Sequence, residues 1–191
     1  DYGQESDAGV WAAINSKFRA FSNESRVLTS FDGPVNLLFG TYYQSSKRDH
    51  GEFVTFIGVI NSAASAADKY LAFTKISATK GETISAFGQA IWKIVPEVEL
   101  TAGARYTHET KKSTYFQPYV NPALVGLFTP QTNNPATTLN RSQTFNNWSP
   151  EATITWRPSK NMTVYAAYKT GYKSGGFSNS GIFSPADPNG D

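Results

Sequence analysis

The chain has 191 residues, a formal net charge of +2 and no cysteine, so a disulfide framework, a thiolate metal site and a cysteine nucleophile are all excluded. A charge this small offers no basic surface for nucleic acid, and no apolar run reaches the roughly 18 residues of a transmembrane helix. Aromatic residues make up 14% of the chain beside 15 Gly and 10 Pro, which favours an all-β fold with many turns.

Residues 1–17 are weakly patterned, and Val10 to Ile14 fit either one helical turn or the tail of a preceding loop. Over 18–30 the alternation sets Phe21, Ser25, Val27 and Thr29 against Ser22, Glu24, Arg26 and Leu28, the second face needing an interior that tolerates charge. Phe31 to Pro34 form a compact turn, and 35–46 resumes the two-residue period, completing a hairpin. From 47 to 80 the period is lost. The segment turns polar and small, with an Ala-rich centre at 63–67 that suits a short helix, so it is expected to be a long loop. A second hairpin follows, strands 82–95 and 98–116 joined at Pro96 and Glu97. Residues 117–142, rich in Pro, Asn and Thr, read as a second long loop.

The third hairpin, 143–157 and 162–177, has the clearest pattern. Trp148, Pro150, Ala152, Ile154 and Trp156 alternate with Ser149, Glu151, Thr153 and Thr155. Trp148 and Trp156 lie on one face, and with an ordinary strand rise and barrel tilt they are roughly 20 Å apart in height, close to the ~25 Å apolar band of a membrane barrel. An aromatic at each end of an apolar face is the girdle arrangement of such barrels.

Short turns and long loops therefore alternate strictly along six strands, the asymmetry of outer-membrane barrels. The polar faces carry Glu24, Arg26, Arg105, Glu151, Lys169 and Lys173. These charges need water or a plug, so they are expected to line the lumen of a large barrel, of which the chain is one curved, unclosed wall. The chain opens on Asp1 without a signal peptide and closes on Gly190 and Asp191 in loop-like sequence, and it reads as an internal piece of a longer protein.

The stretches TAGARYTH at 101–108, YAAYKTGYKSGGF at 165–177, GPVNLLFGTYYQ at 33–44 and SAFGQAIW at 85–92 together resemble the barrel of TonB-dependent outer-membrane receptors. The resemblance spans about residues 18–177. It implies a closed barrel of about 22 strands around a plug domain, set in the outer membrane of a Gram-negative bacterium. It also implies import of a scarce, large nutrient, such as an iron–siderophore complex, cobalamin or an oligosaccharide, driven by the inner-membrane TonB partner. Nothing in the chain looks like a plug domain, a TonB box or a C-terminal barrel strand, so it is expected to be part of the barrel domain only.

Ser77 with Lys80, Tyr119 with Asn121, and Lys169 with Thr170 and Gly171 spell the three short motifs of penicillin-recognising serine enzymes. That chemistry needs the Ser and Lys on a buried helix, and Gly81 follows directly in a chain without helical period. His108-Glu109 lacks a second histidine four residues after the first, so no zincin-type site forms. His50 and His108 read as exposed loop or strand-end residues. No catalytic residue, cofactor site or metal ligand is assigned. Candidate ligand contacts are the loop aromatics Phe53, Phe56, Tyr70, Tyr119 and Phe128, since binding residues favour loops on a rigid scaffold. A passive porin-like barrel, or a soluble β-rich serine enzyme, is the alternative to a receptor wall.

Overall fold

A computed structural model describes residues 9–130 and 138–177. Six strands, β1 (Val10–Leu28), β2 (Val35–Phe56), β3 (Leu71–Val95), β4 (Val98–Val120), β5 (Leu139–Ser159) and β6 (Met162–Lys169), pair antiparallel in chain order as one curled half-barrel. The sheet is the all-β meander that the alternation predicts. Its three short turns lie at one end, and residues 57–70 between β2 and β3 and 121–130 after β4 lie at the other.

The strands are longer than the apolar pattern suggests. β1 begins at Val10 and pairs with β2 as far as Phe56, and β3 begins at Leu71, so most of the expected 47–80 loop is strand. β3, with 25 residues, is about 80 Å long, roughly twice what an apolar band needs even when tilted. Beyond the band both faces carry polar and charged side chains, so the segment SSKRDHGEF keeps its backbone pairing while losing the side-chain contrast that marks a strand. The Ala-rich centre forms turns closed by Asn61 and Ser65 and no helix. The 117–142 loop likewise gives up 117–120 to β4 and 139–142 to β5, and it opens on a single 3-10 turn at Pro122–Leu124 that Asn121 caps through the Ala123 amide. At the other edge β6 ends at Lys169 rather than at 177. Gly171, Ser174, Gly175 and Gly176 are poor strand formers, and Lys111 draws Ser174 and Gly175 across the face of β4.

Register assigns every strand residue to one of two faces. On the convex face Val35, Trp92, Leu100, Ile154 and Ala166 are mutual neighbours, and Leu37, Ala90, Ala102, Ala152 and Tyr168 form the adjoining row. Rings bound this belt. Phe21, Tyr43, Tyr106 and Trp148 lie toward the loop end, with Phe21 and Tyr43 6.5 Å apart and Tyr106 and Trp148 5.1 Å apart. Trp92 and Trp156 lie toward the turn end. Between the two levels this face carries no charged side chain among the described residues. From Phe21 on β1 to Trp148 on β5 the upper rings shift four residues toward the turn end, about one residue per strand, the stagger of tilted barrel strands.

A small apolar core sits at the loop end, where Val54, Ala72, Phe73 and Val120 are buried against Val10, Phe56, Leu124 and Phe128.

Candidate functional site

The concave face holds a continuous polar network at the height of the convex belt. Five of the six charges expected in the lumen, Glu24, Arg26, Arg105, Glu151 and Lys169, are on this face by register. The sixth, Lys173, lies past the end of β6, is exposed, and makes no ion pair among the described residues.

Arg105 is the centre of one half. Its Nη2 donates to Ser85 Oγ at 3.2 Å, and Ser85 in turn meets Thr107 Oγ1 at 3.0 Å. Its Nη1 lies 4.0 Å from Glu24 Oε2, while Glu24 Oε1 accepts from Arg26. The guanidinium also covers the Tyr42 ring at 4.9 Å and the Phe87 ring at 5.5 Å, a cation–π arrangement that fixes its plane. Phe87 reaches that position because Gly40, its register partner, leaves the space: a Cβ there would meet the Phe87 ring at 2.2 Å.

The other half is built on Glu151. Its Oε1 accepts from Gln89 Nε2 at 3.1 Å and its Oε2 pairs with Lys169 Nζ at 3.1 Å. Between the halves lies a hollow of about 360 Å3 lined by Arg26, Phe87, Gln89, Arg105, Glu151 and Lys169. Leu38, Ala104 and Pro150 also line it, so it offers polar groups and apolar surface side by side. Tyr42, Ser85, Phe87 and Gln89 escape a search for charged residues. The signal for them was present in the alternation, since each continues the face of Glu24 and Arg26 across a hairpin.

Nearer the loop end, past the ring-bounded belt, Lys75 pairs with Glu52 at 2.8 Å with both side chains largely buried. His50 and Tyr115 lie one row below on the same face. Burial first, and then the Arg48 and Lys75 charges, hold the His50 imidazole below its ordinary range, against the opposing pull of Glu52. Burial, reinforced by Glu52, pushes the Tyr115 phenol up. His50 is half-buried within β2 and not an exposed loop residue.

The five candidate loop aromatics part company. Phe53 and Phe56 are in β2 and Tyr119 is in β4, which leaves only Tyr70 and Phe128 in connections. Phe128 packs on Phe73 at 4.8 Å and on Phe56 at 6.1 Å, so these two rings form core with Phe73. Phe53 lies on the convex face, and the Tyr119 hydroxyl accepts from Asn61 Nδ2 at 3.2 Å. Of the five, Tyr70 alone is an exposed loop ring, at 55%, with Lys69 Nζ 5.3 Å from its centroid. The serine-enzyme motifs do not assemble either: Ser77 and Lys80, three apart on β3, point to opposite faces, and Asn121 is buried with its Nδ2 donating to the Leu71 carbonyl and its Oδ1 accepting from the Ala123 amide.

No curated protein matches the sequence. The chain is similar in structure to the ferric yersiniabactin uptake receptor FyuA from Yersinia pestis, with a TM-score of 0.64 and 13% identity, over 84% of this chain and 22% of that one. At that identity the likeness is one of fold, and the chain spans less than a quarter of the receptor's length. A family model described as TonB dependent receptor-like, beta-barrel, matches residues 1–191. With its charge-free, ring-bounded convex belt and its charged concave face, the chain belongs to the TonB-dependent receptor β-barrel family, whose members are receptors and transporters rather than enzymes.

Proposed function

We propose that this chain is part of the wall of an outer-membrane receptor that takes up a large, scarce nutrient, with energy delivered through TonB. The observation that carries the reading is the division of the sheet into two unlike faces at one height. The convex belt from Tyr43 to Val35 and from Trp148 to Trp156 suits hydrocarbon, whereas the Arg105 and Glu151 networks behind it suit a wet or plugged lumen. A plug domain supplied by the rest of the receptor would meet the hollow between Arg105 and Glu151. Recognition is assigned to the two loop-end connections, residues 57–70 and 121–138, with the exposed Tyr70 ring, beside the Lys69 ammonium, as the one offered to a ligand.

The fold neighbour's name makes a ferric chelate, such as an iron–siderophore complex, the first nutrient class to test. The test is uptake in the native host. Deleting the receptor gene is expected to abolish accumulation of one labelled ferric complex under iron limitation, and inactivating TonB to abolish it equally. Uptake that continues without TonB but fails without the receptor would favour the passive-porin alternative. Unchanged uptake of every ferric complex tried would move the search to cobalamin and oligosaccharides.

A further inference from the structure

The cations of the concave face are not all provided with carboxylates. From the Arg105 network to the loop end, Arg26 and Arg105 share Glu24, Lys169 has Glu151, Lys111 has Glu109 at 3.2 Å and Lys75 has Glu52. Arg48 on β2 and Arg141 on β5 make no ion pair among the described residues, and both are exposed. Arg48 Nε donates to Ser16 Oγ at 3.4 Å, and Arg141 Nη1 donates to the carbonyl of the adjoining Asn140 at 3.2 Å. Each guanidinium carries five N–H donors, so most of each fork is unspent.

Register sets these two arginines in one line. Arg48 lies opposite Thr79, Thr79 opposite Ser113 and Ser113 opposite Arg141, so the row crosses β2, β3, β4 and β5 on the concave face. Thr79 Oγ1 and Ser113 Oγ are 3.0 Å apart. Their bond uses one of the two hydroxyl protons and leaves the other to donate. The row is thus a pair of guanidinium forks, about 14 Å apart by ordinary strand spacing, with a hydroxyl donor between them and no carboxylate. A guanidinium presents parallel N–H groups that match a planar oxyanion, so the row is a frame for negatively charged oxygens.

We infer that this row binds oxyanion groups of the incoming nutrient, which is therefore a polyanion, such as an iron chelate bearing several carboxylates or catecholates. Two forks with two strands between them suit separated anionic groups on one large ligand better than a single small ion. Phe18, opposite Arg48 on β1, is an exposed ring at the end of the row and offers apolar surface to the same ligand. Ser113 is eight residues beyond Arg105 on β4, roughly 20 Å nearer the loop end in a tilted barrel. The row therefore stands between the loop-end connections and the Arg105 and Glu151 networks, on the path of a nutrient taken in at the loops. It rests on the uptake reading proposed above and adds to it the charge of the cargo.

The complete receptor in detergent is titrated with three iron complexes: anionic ferric citrate, an anionic ferric tris-catecholate and a neutral ferric trihydroxamate. Tighter binding of an anionic complex than of the neutral one is expected, and which anionic complex binds separates carboxylate from catecholate cargo. Arg48→Gln and Arg141→Gln should each weaken that binding about tenfold, the scale of one charge-assisted hydrogen bond. Arg48→Lys, which keeps the charge and loses the fork, should fall between the parent and Arg48→Gln. Lys93→Gln removes an exposed concave-face cation at the turn end and should bind like the parent. If a Gln variant fails to fold, Arg48→Lys and Arg141→Lys carry the test.

Preference for the neutral complex, or binding of neither anionic complex, overturns the inference. So do arginine variants that bind like the parent, or a Lys93→Gln receptor that loses as much. If the Gln variants open the plug domain to hydrogen exchange in the absence of ligand, carboxylates of the plug are the partner and the nutrient is not. Uptake in the native host separates this row from the reading beneath it. Receptor-dependent uptake of the neutral complex keeps that reading and defeats only the anion row, whereas the absence of receptor-dependent uptake of any nutrient defeats the reading itself.

Discussion

Gln89 on β3 and Glu151 on β5 are hydrogen bonded at 3.1 Å although β4 lies between them, because the residue they cross is Gly103. A Cβ at Gly103 would lie 2.5 Å from the Gly88 carbonyl oxygen and 3.0 Å from Gln89 Cα, both backbone atoms that cannot swing aside. Gly103→Ala is therefore expected to shift the strands and cost about 1–3 kcal/mol. Gly33→Ala, with open space around it, should be near neutral. The temperature at which the detergent-folded receptor loses its compact electrophoretic mobility measures both, and equal temperatures for the two variants would refute the crossing.

Facing is tested with lysine. At Ala102, Ile154 or Ala166, on the convex belt, a lysine should cost roughly 2–4 kcal/mol in a bilayer. At Thr101, Thr153 or Ala167, their sequence neighbours on the concave face, the cost should be far smaller. Denaturant titration of the receptor in lipid vesicles reads the difference. Similar costs on both faces would show that the assignment is wrong.

The loop-end aromatics are expected to separate into core and contact. Phe73→Ala removes a buried ring that touches both Phe56 and Phe128, so it should cost about 3–4 kcal/mol and expose the 121–130 segment to hydrogen exchange. Tyr70→Ala should leave exchange unchanged and weaken ligand retention. The reverse outcome would place recognition in the Phe73 cluster.

Acid should loosen the same rim. The His50 imidazole is held low when folded, so the unfolded chain binds the additional proton first, and stability rises with pH through the histidine range. Opening of the β2–β3 pairing near His50 should thus become easier as pH falls from about 7 toward 5. The groups facing it, Arg48, Glu52, Lys75 and Tyr115, leave the sign unchanged because burial is the leading cause. His50→Gln should flatten the dependence in hydrogen-exchange measurements, and an unchanged slope would assign it elsewhere.

Over the ring-bounded belt the sequence was sufficient for strand and face. Where one face is apolar and the other polar the pattern alternates, so Leu100 to Tyr106 and Trp148 to Trp156 declare both strand and facing, and Glu24, Arg26, Arg105, Glu151 and Lys169 share the concave side. Past the band that contrast vanishes, which is why 47–56 and 71–80 read as loop while their backbones stay paired. Only the register between strands decided the rest. Residues far apart in the chain became neighbours through backbone hydrogen bonding: Arg105 over Tyr42, Gln89 on Glu151 across Gly103, and Arg48, Thr79, Ser113 and Arg141 in one row. Alternation has a period of two and states a side chain's face, but it holds no information about which residue of the next strand lies opposite.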